Sequence, residues 1–145
     1  MNETVFRFSA SVLLIPVGVA IVALLAGIVL MRRKETRHTG IVALFVTLLA
    51  GGVFAPAMYC DRVIVTPQKI EQRTGFPTAP KIKGFAFGDV KYVHIGSRQS
   101  DIGPREEWQV FYRDGSMENI DPGDLWEKNS FRIVPLLKKY GVQFR

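Results

Sequence analysis

Two histidines, one cysteine and a scatter of carboxylates are the side chains from which this chain could build a reactive centre. A metal site needs several such groups at ligand spacing, and a catalytic centre needs a nucleophile within reach of a base. His38 stands in the basic run Arg32-Arg33-Lys34-Glu35-Thr36-Arg37-His38 and His94 in the stretch KYVHI; neither has a second histidine, cysteine or carboxylate at ligand spacing. Asp121 and Asp124 flank Gly123, but two carboxylates do not make a calcium loop, and helix capping is their expected role. Gly51-Gly52 lies within an apolar run rather than between a strand and a helix, so it is not a phosphate loop. Serine, histidine and aspartate are all present without a nucleophile elbow. Asp89, His94 and Asp101 are the set that a membrane-surface enzyme subunit would use, and this is the most distant of the functional readings. The sequence is therefore read as non-enzymatic, with no catalytic, metal-binding or cofactor-binding residues.

The elements that must position any site begin with two uncharged stretches, Phe8–Met31 of 24 residues and Thr39–Cys60 of 22. At 1.5 Å per residue each can cross a hydrocarbon core of ~30 Å as a helix, the form that satisfies its own backbone hydrogen bonds in lipid. Residues 32–38 are a basic link too short for anything but a turn. A cleaved signal peptide is excluded for the first stretch: the n-region has one arginine, the run exceeds an h-region, and no small-residue cleavage site precedes Arg32. Ala43, Thr47, Gly51 and Ala55 place four small residues at i, i+4 spacing on one face of the second span, and Ala23 and Gly27 repeat that spacing in the first. Small residues let helices approach closely in lipid. These six are the candidate helix–helix interface of an antiparallel hairpin, with homo-oligomerisation through the same stripe as the alternative use.

Charge locates the chain without fixing its side. The net charge of +6 divides evenly, +3 on residues 1–60 and +3 on residues 61–145. The later part interleaves both signs, unlike the basic stripe of a nucleic-acid binder, so no nucleic-acid partner is expected. Arg32, Arg33, Lys34 and Arg37 crowd the link and by the positive-inside rule favour an outside location for the rest of the chain. Arg7, Arg62, Lys69 and Arg73 flank the opposite ends within the range the rule counts. Cys60 excludes an intrachain disulfide, being the only cysteine, and at a span end it is an acylation candidate. Asn2-Glu3-Thr4 matches a glycosylation sequon of the kind that arises by chance.

After Asp61 the pattern changes to short apolar alternations between turn residues, which predicts strands. These are Arg62–Thr66, Lys69–Thr74, Lys81–Phe87, Lys91–Ile95, Glu107–Tyr112 and Met117–Ile120. Gly96–Arg105 is polar, carries two glycines and a proline, and reads as a loop. Asp114-Gly115 marks a tight hairpin. Asp121-Pro122 offers an N-cap and first-turn proline, Gly141 a helix stop, and Trp126, Ile133, Leu137 and Tyr140 one helical face. Pro135 predicts either a kink or a helix start near Asn129-Ser130. Phe85, Phe87, Tyr92, Trp108, Phe111, Trp126 and Phe131 are the expected aromatic core.

The segment DRVIVTPQKIEQRTGF, residues 61–76, resembles the opening strands of the bacterial pleckstrin-homology-like (PH-like) domains attached to membrane spans, and FAFGDVKYVHI and LLKKYG fit the same plan. The resemblance implies a small mainly-β PH-like barrel of about six strands with a C-terminal α-helix, following a two-helix transmembrane hairpin, with domains at 1–60 and 61–145. It implies a non-enzymatic role, and intracellular PH domains imply a cytoplasmic face. The expected function is presentation of that domain for protein–protein or membrane-surface interaction, as a scaffold or assembly protein of the bacterial inner (plasma) membrane. The partners are the lipid bilayer and a protein not identifiable from sequence. An anionic-lipid headgroup sensor is the alternative, with Arg62, Lys69, Arg73, Lys81 and Lys83 as candidate surface contacts. The dense basic spacing of phosphoinositide-binding PH domains is missing.

Overall fold

Two helices account for most of the first 60 residues in the computed structural model of the chain, which describes Glu3–Phe76, Thr78–Ser100 and Gly103–Arg145. Asn2 and Asp101, singled out above, lie outside the described residues. Helix α1 spans Ala10–Met31. A 3-10 turn at Lys34–Thr36 leads into α2, Arg37–Leu49, a π-helical turn at Ala50–Phe54, and α3, Ala55–Cys60. Together Lys34–Cys60 form one 27-residue helical stretch. Pro56 lacks the N–H that would bond to the carbonyl of Gly52, and the wider turn absorbs that lost bond ahead of it. Both stretches are long and apolar enough to cross a membrane. Their outward faces are apolar: Leu14, Val22, Leu25 and Leu48 are each 60–68% exposed.

The other unit contains the segment ending at Arg7, then Arg62–Arg73 and Lys81–Arg145, while 74–80 group with the hairpin. Its seven strands form two antiparallel sheets: the six expected after residue 61 and one more. The extra strand is β1, Thr4–Arg7, which precedes the hairpin and pairs with β2, Arg62–Val65, which follows it. The strand before the hairpin thus groups with the sheets. The first sheet runs in the order β1-β2-β3-β4, with β3 at Lys69–Thr74 and β4 at Lys81–Ala86. Its inward residues form cross-strand rows: Phe6 opposite Val63, Val63 opposite Gln72, and Val65 opposite Ile70.

The second sheet contains β5, Val90–Ser100, β6, Gly103–Tyr112, and β7, Met117–Ile120. The expected loop at 96–105 is therefore mostly strand: pairing continues from Gly96↔Glu107 to Ser100↔Gly103. Polar side chains concealed it because this end of the hairpin is largely solvent-exposed, and backbone pairing there needs no apolar alternation. The C-terminal residues lie alongside β5: Val93 N–H donates to the Gln143 carbonyl at 2.8 Å and Arg145 N–H to the Val93 carbonyl at 3.0 Å.

The single C-terminal helix expected from sequence is a pair, α4 at Asp124–Lys128 and α5 at Ser130–Lys139. The break at Asn129 starts the second, longer helix at Ser130, one of the two outcomes expected from Pro135, which lies in its interior. Asp121 is not the N-cap; Gly123 is. Gly123 N–H donates to the Oε1 of fully buried Gln72 at 3.1 Å, and a Cβ there would lie 2.5 Å from Gln72 Nε2. That contact holds the backbone out of helical geometry until Asp124. Gly141, at φ 90°, ends α5 in a Schellman arrangement, with Val142 N–H donating to Leu137 O and Gly141 N–H to Lys138 O. Ile133 and Leu137 are fully buried, as are Trp108 and Trp126, whose rings meet edge to face at 5.1 Å. Phe131 is corrected from core to surface: it is 73% exposed, on the face of α5 away from Ile133 and Leu137. Tyr92 and Phe111 stack on each other at 4.4 Å while remaining half-buried.

Because Phe6 is 6% exposed and sits in the row with Val63 and Gln72, Phe6→Ala should destabilise the sheets by about 3–5 kcal/mol. Val5→Ala on the outward face should cost less than about 1 kcal/mol. Urea titration of the full chain in detergent, followed by the fluorescence of Trp108 and Trp126, measures both.

Candidate functional site

The small-residue face of the hairpin is built from backbone approach. Gly27 is buried, and a Cβ on it would lie 3.0 Å from Leu44 Cδ2 and 3.2 Å from the Gly40 carbonyl oxygen. A Cβ on Gly40 would lie 2.7 Å from Met31 Cγ and 3.1 Å from the Gly27 carbonyl oxygen. Further along, a Cβ on Gly51 would lie 3.3 Å from the Cβ of Ala20. Thr47 Oγ1 is 3.1 Å from the Ala43 carbonyl of its own helix and 3.3 Å from the Ala20 carbonyl of α1, sharing one proton between them. Of the residues expected at this face, Gly27, Thr47 and Gly51 touch the opposite helix, Ala43 contributes its carbonyl, and Ala23 and Ala55 are half-buried. Ala20 and Gly40 also belong to the face. Gly40 continues it in the i, i+3 sense from Ala43, a spacing that i, i+4 counting passes over.

The candidate surface contacts sit on the first sheet, and most are engaged within it. Glu71 is central: its side chain is 10% exposed, and it pairs with Lys69 and Arg73 on either side along the same face of β3. Those two hydrogen bonds, Lys69 first and then Arg73, hold the Glu71 carboxyl below its ordinary pKa. Lys83 donates from Nζ to the Asp121 carbonyl at 3.0 Å, and Lys81 is exposed at the start of β4. Arg62 lies opposite Arg73 on one side and opposite Arg7 on the other. Directly opposed strand residues project to the same face. Since Phe6, Val63 and Gln72 fill the inward row, Arg7, Arg62 and Arg73 form a row on the outward one. Sequence reasoning missed Arg7 as a member. Thr4–Arg7 shows no alternation that would signal it; its place in the row comes from the register with β2.

The second sheet carries two polar clefts. One, of about 470 Å³, is lined by Arg98, Gln99, Ser100, Arg105, Glu106, Glu107 and Asp121. Glu106 is occupied there by the indole N–H of Trp108 at 3.2 Å and the Ser130 hydroxyl at 3.0 Å, while Arg105 pairs with Asp124 at 3.4 Å. The other is lined by Asp89, Tyr112, Arg113, Asp114 and Ser116. Burial, and then the Glu118 carboxylate to which its hydroxyl donates at 2.7 Å, push the Tyr112 pKa up to about 12. His94 is not among the residues lining this cleft; its Nδ1 is 2.7 Å from the Arg145 carbonyl oxygen. Among the described residues no three histidine, cysteine or carboxylate side chains are grouped to hold a metal. Compared with protein-family models, curated proteins and solved structures, the chain finds no match in any of the three.

Two predictions follow from these contacts. Gly40→Leu should weaken the helix pair by about 1–3 kcal/mol, whereas Gly18→Leu, with nothing within 4 Å, should leave it unchanged; reversible denaturation in detergent distinguishes them. Because the folded-state pKa of Glu71 is depressed, its contribution is present above the ordinary carboxylate range and is lost as pH falls through the folded value. Glu71→Gln should therefore lower stability at pH 7 by about 1–3 kcal/mol and flatten the acid limb of the stability–pH curve below about pH 5.

Proposed function

We propose that this chain is an integral protein of the bacterial inner membrane, in which a two-span hairpin mounts a non-catalytic PH-like domain for interaction with the bilayer surface or a protein partner. The observation that carries this reading is the pairing of β1 with β2. The sheet begins before the hairpin and resumes after it, so the hairpin is inserted into the domain rather than appended to its end. Two residues, Phe8 and Ser9, separate β1 from α1, and Asp61 alone separates α3 from β2. The domain is thus attached to its anchor at two points by short connectors.

Three further features support the reading. The two long helices turn apolar side chains outward, the arrangement suited to lipid and unsuited to water. Strands leading on to a terminal helix pair, the sequence of elements that the resemblance of residues 61–76 implies, support the PH-like reading. In this reading the sheets are the halves of a PH-like barrel and the helices its cap. The polar groups lining the clefts are occupied in part by structural bonds, as in the tie from Glu106 to Trp108 and Ser130. These supports favour a scaffold or assembly role over catalysis.

Thiol mapping in intact cells tests the arrangement. With Cys60 replaced by serine, single cysteines at Val5, Ser97 and His38 are treated with an impermeant reagent. Val5→Cys and Ser97→Cys should label alike, and His38→Cys in the link should show the opposite accessibility. Labelling of all three from the same side, or release of the protein from membranes by alkaline carbonate, would overturn the two-span anchor.

A further inference from the structure

We infer that Arg7, Arg62 and Arg73 form a binding site for the phosphate of an acidic membrane glycerophospholipid, an inference that rests on the membrane-mounted reading above. Register places the three arginines at directly opposed positions across β1, β2 and β3, so their side chains leave the same outward face. Directly opposed strand residues have Cβ atoms ~5 Å apart, and like charges there are destabilising. This row opposes like charge twice in succession. The carboxylate beside it, Glu71, pairs with Arg73 through Nε and is shared with Lys69. The face formed by Arg7, Arg62, Arg73, Lys69 and Glu71 therefore keeps an excess of three positive charges, and among the described residues no ion pair includes Arg7 or Arg62.

A phosphate oxyanion resolves that repulsion. Guanidinium groups bind phosphate bidentately, and charge-assisted bonds of this type are roughly twice as strong as neutral ones. The Glu71 bond also fixes the position of Arg73 in advance, which lowers the ordering cost of binding. Chain position selects a lipid as the source. Arg7 lies three residues before α1 and Arg62 two residues after α3, so two of the three arginines adjoin the ends of the apolar helices. Basic residues close to a membrane surface each add to the attraction of anionic lipid. A lipid phosphate is already present there at high local concentration, whereas a soluble anion must come from bulk. The row depends on β1: without the strand before the hairpin, two arginines remain.

Native mass spectrometry of the full chain, released from detergent micelles doped with phosphatidylglycerol or phosphatidylcholine, tests the site. The wild-type chain should retain phosphatidylglycerol in preference to phosphatidylcholine. Arg62→Gln/Arg73→Gln should weaken that retention at least tenfold, and Arg7→Gln, at the exposed sheet edge, should weaken it several-fold. The charge-matched pair Lys91→Gln/Lys139→Gln, elsewhere on the domain, should leave retention unchanged. Equal loss in both double variants would reduce the effect to net charge and overturn the site. Retention of phosphatidylcholine equal to that of phosphatidylglycerol would also overturn it. Binding of inorganic phosphate with the same arginine dependence but without lipid retention would overturn the lipid assignment. Urea titration of each variant excludes unfolding, with Arg7→Gln as the variant least coupled to the core. Carbonate extraction of the same samples separates failure of this site from failure of the membrane anchor, because the variants should stay membrane-bound even where lipid retention is lost.

Discussion

The antiparallel pairing of Thr4–Arg7 with Arg62–Val65 is the constraint on which the rest of the domain depends. It supplies Phe6 to the inward row, and Arg132 lies over that ring at 5.4 Å, so the strand before the hairpin also contacts the last helix. Joining strands separated by this many residues costs on the order of 3–4 kcal/mol of loop-closure entropy if the intervening chain is unstructured. The hairpin removes most of that cost. Once α1 and the second helical stretch pair along Gly27, Gly40, Thr47 and Gly51, the ends of the intervening chain are already close. Helix association and sheet formation therefore support each other.

The buried polar groups of the first sheet serve the same construction. Gln72 lies on the inward face opposite Val63 and is bonded to the backbone of Gly123, which sets where α4 begins. Glu71, its neighbour, lies on the outward face and gathers Lys69 and Arg73. Adjacent residues on one strand thus do opposite work: one ties the sheet to the helices, the other organises surface charge. Removing either partner strands a buried polar group, a cost larger than that of an average surface change.

How much of this was legible in the sequence varies with the range of the interaction involved. The two apolar runs announce the helices because length and lack of charge are local properties, and β2, β3, β4 and β7 are local alternations between turn residues. β1 was missed because four residues ahead of an apolar run have too little pattern of their own, and their partner lies beyond the whole hairpin. The extension of β5 and β6 was hidden by polar residues whose backbone pairs regardless of side chain. Gly123 reads as an ordinary spacer until Gln72 is seen against it. The arginine row is legible only in part: Arg62 and Arg73 can be singled out by charge, but their alignment with Arg7 is a matter of register, which no single segment contains.

Insertion of the hairpin between the first two strands also sets an order of events during synthesis. β1 leaves the ribosome first and must remain unpaired while both apolar helices are made and placed, since its partner begins only at Arg62. In a bilayer, β1 and β2 reach the same side when both spans cross, and a chain in which one span fails to cross separates them by the membrane. Such a molecule cannot complete its first sheet and exposes the edge of β2. In the membrane-mounted arrangement proposed above, the first sheet can therefore be completed only when both spans have crossed, a dependence written into the connectivity of one short strand.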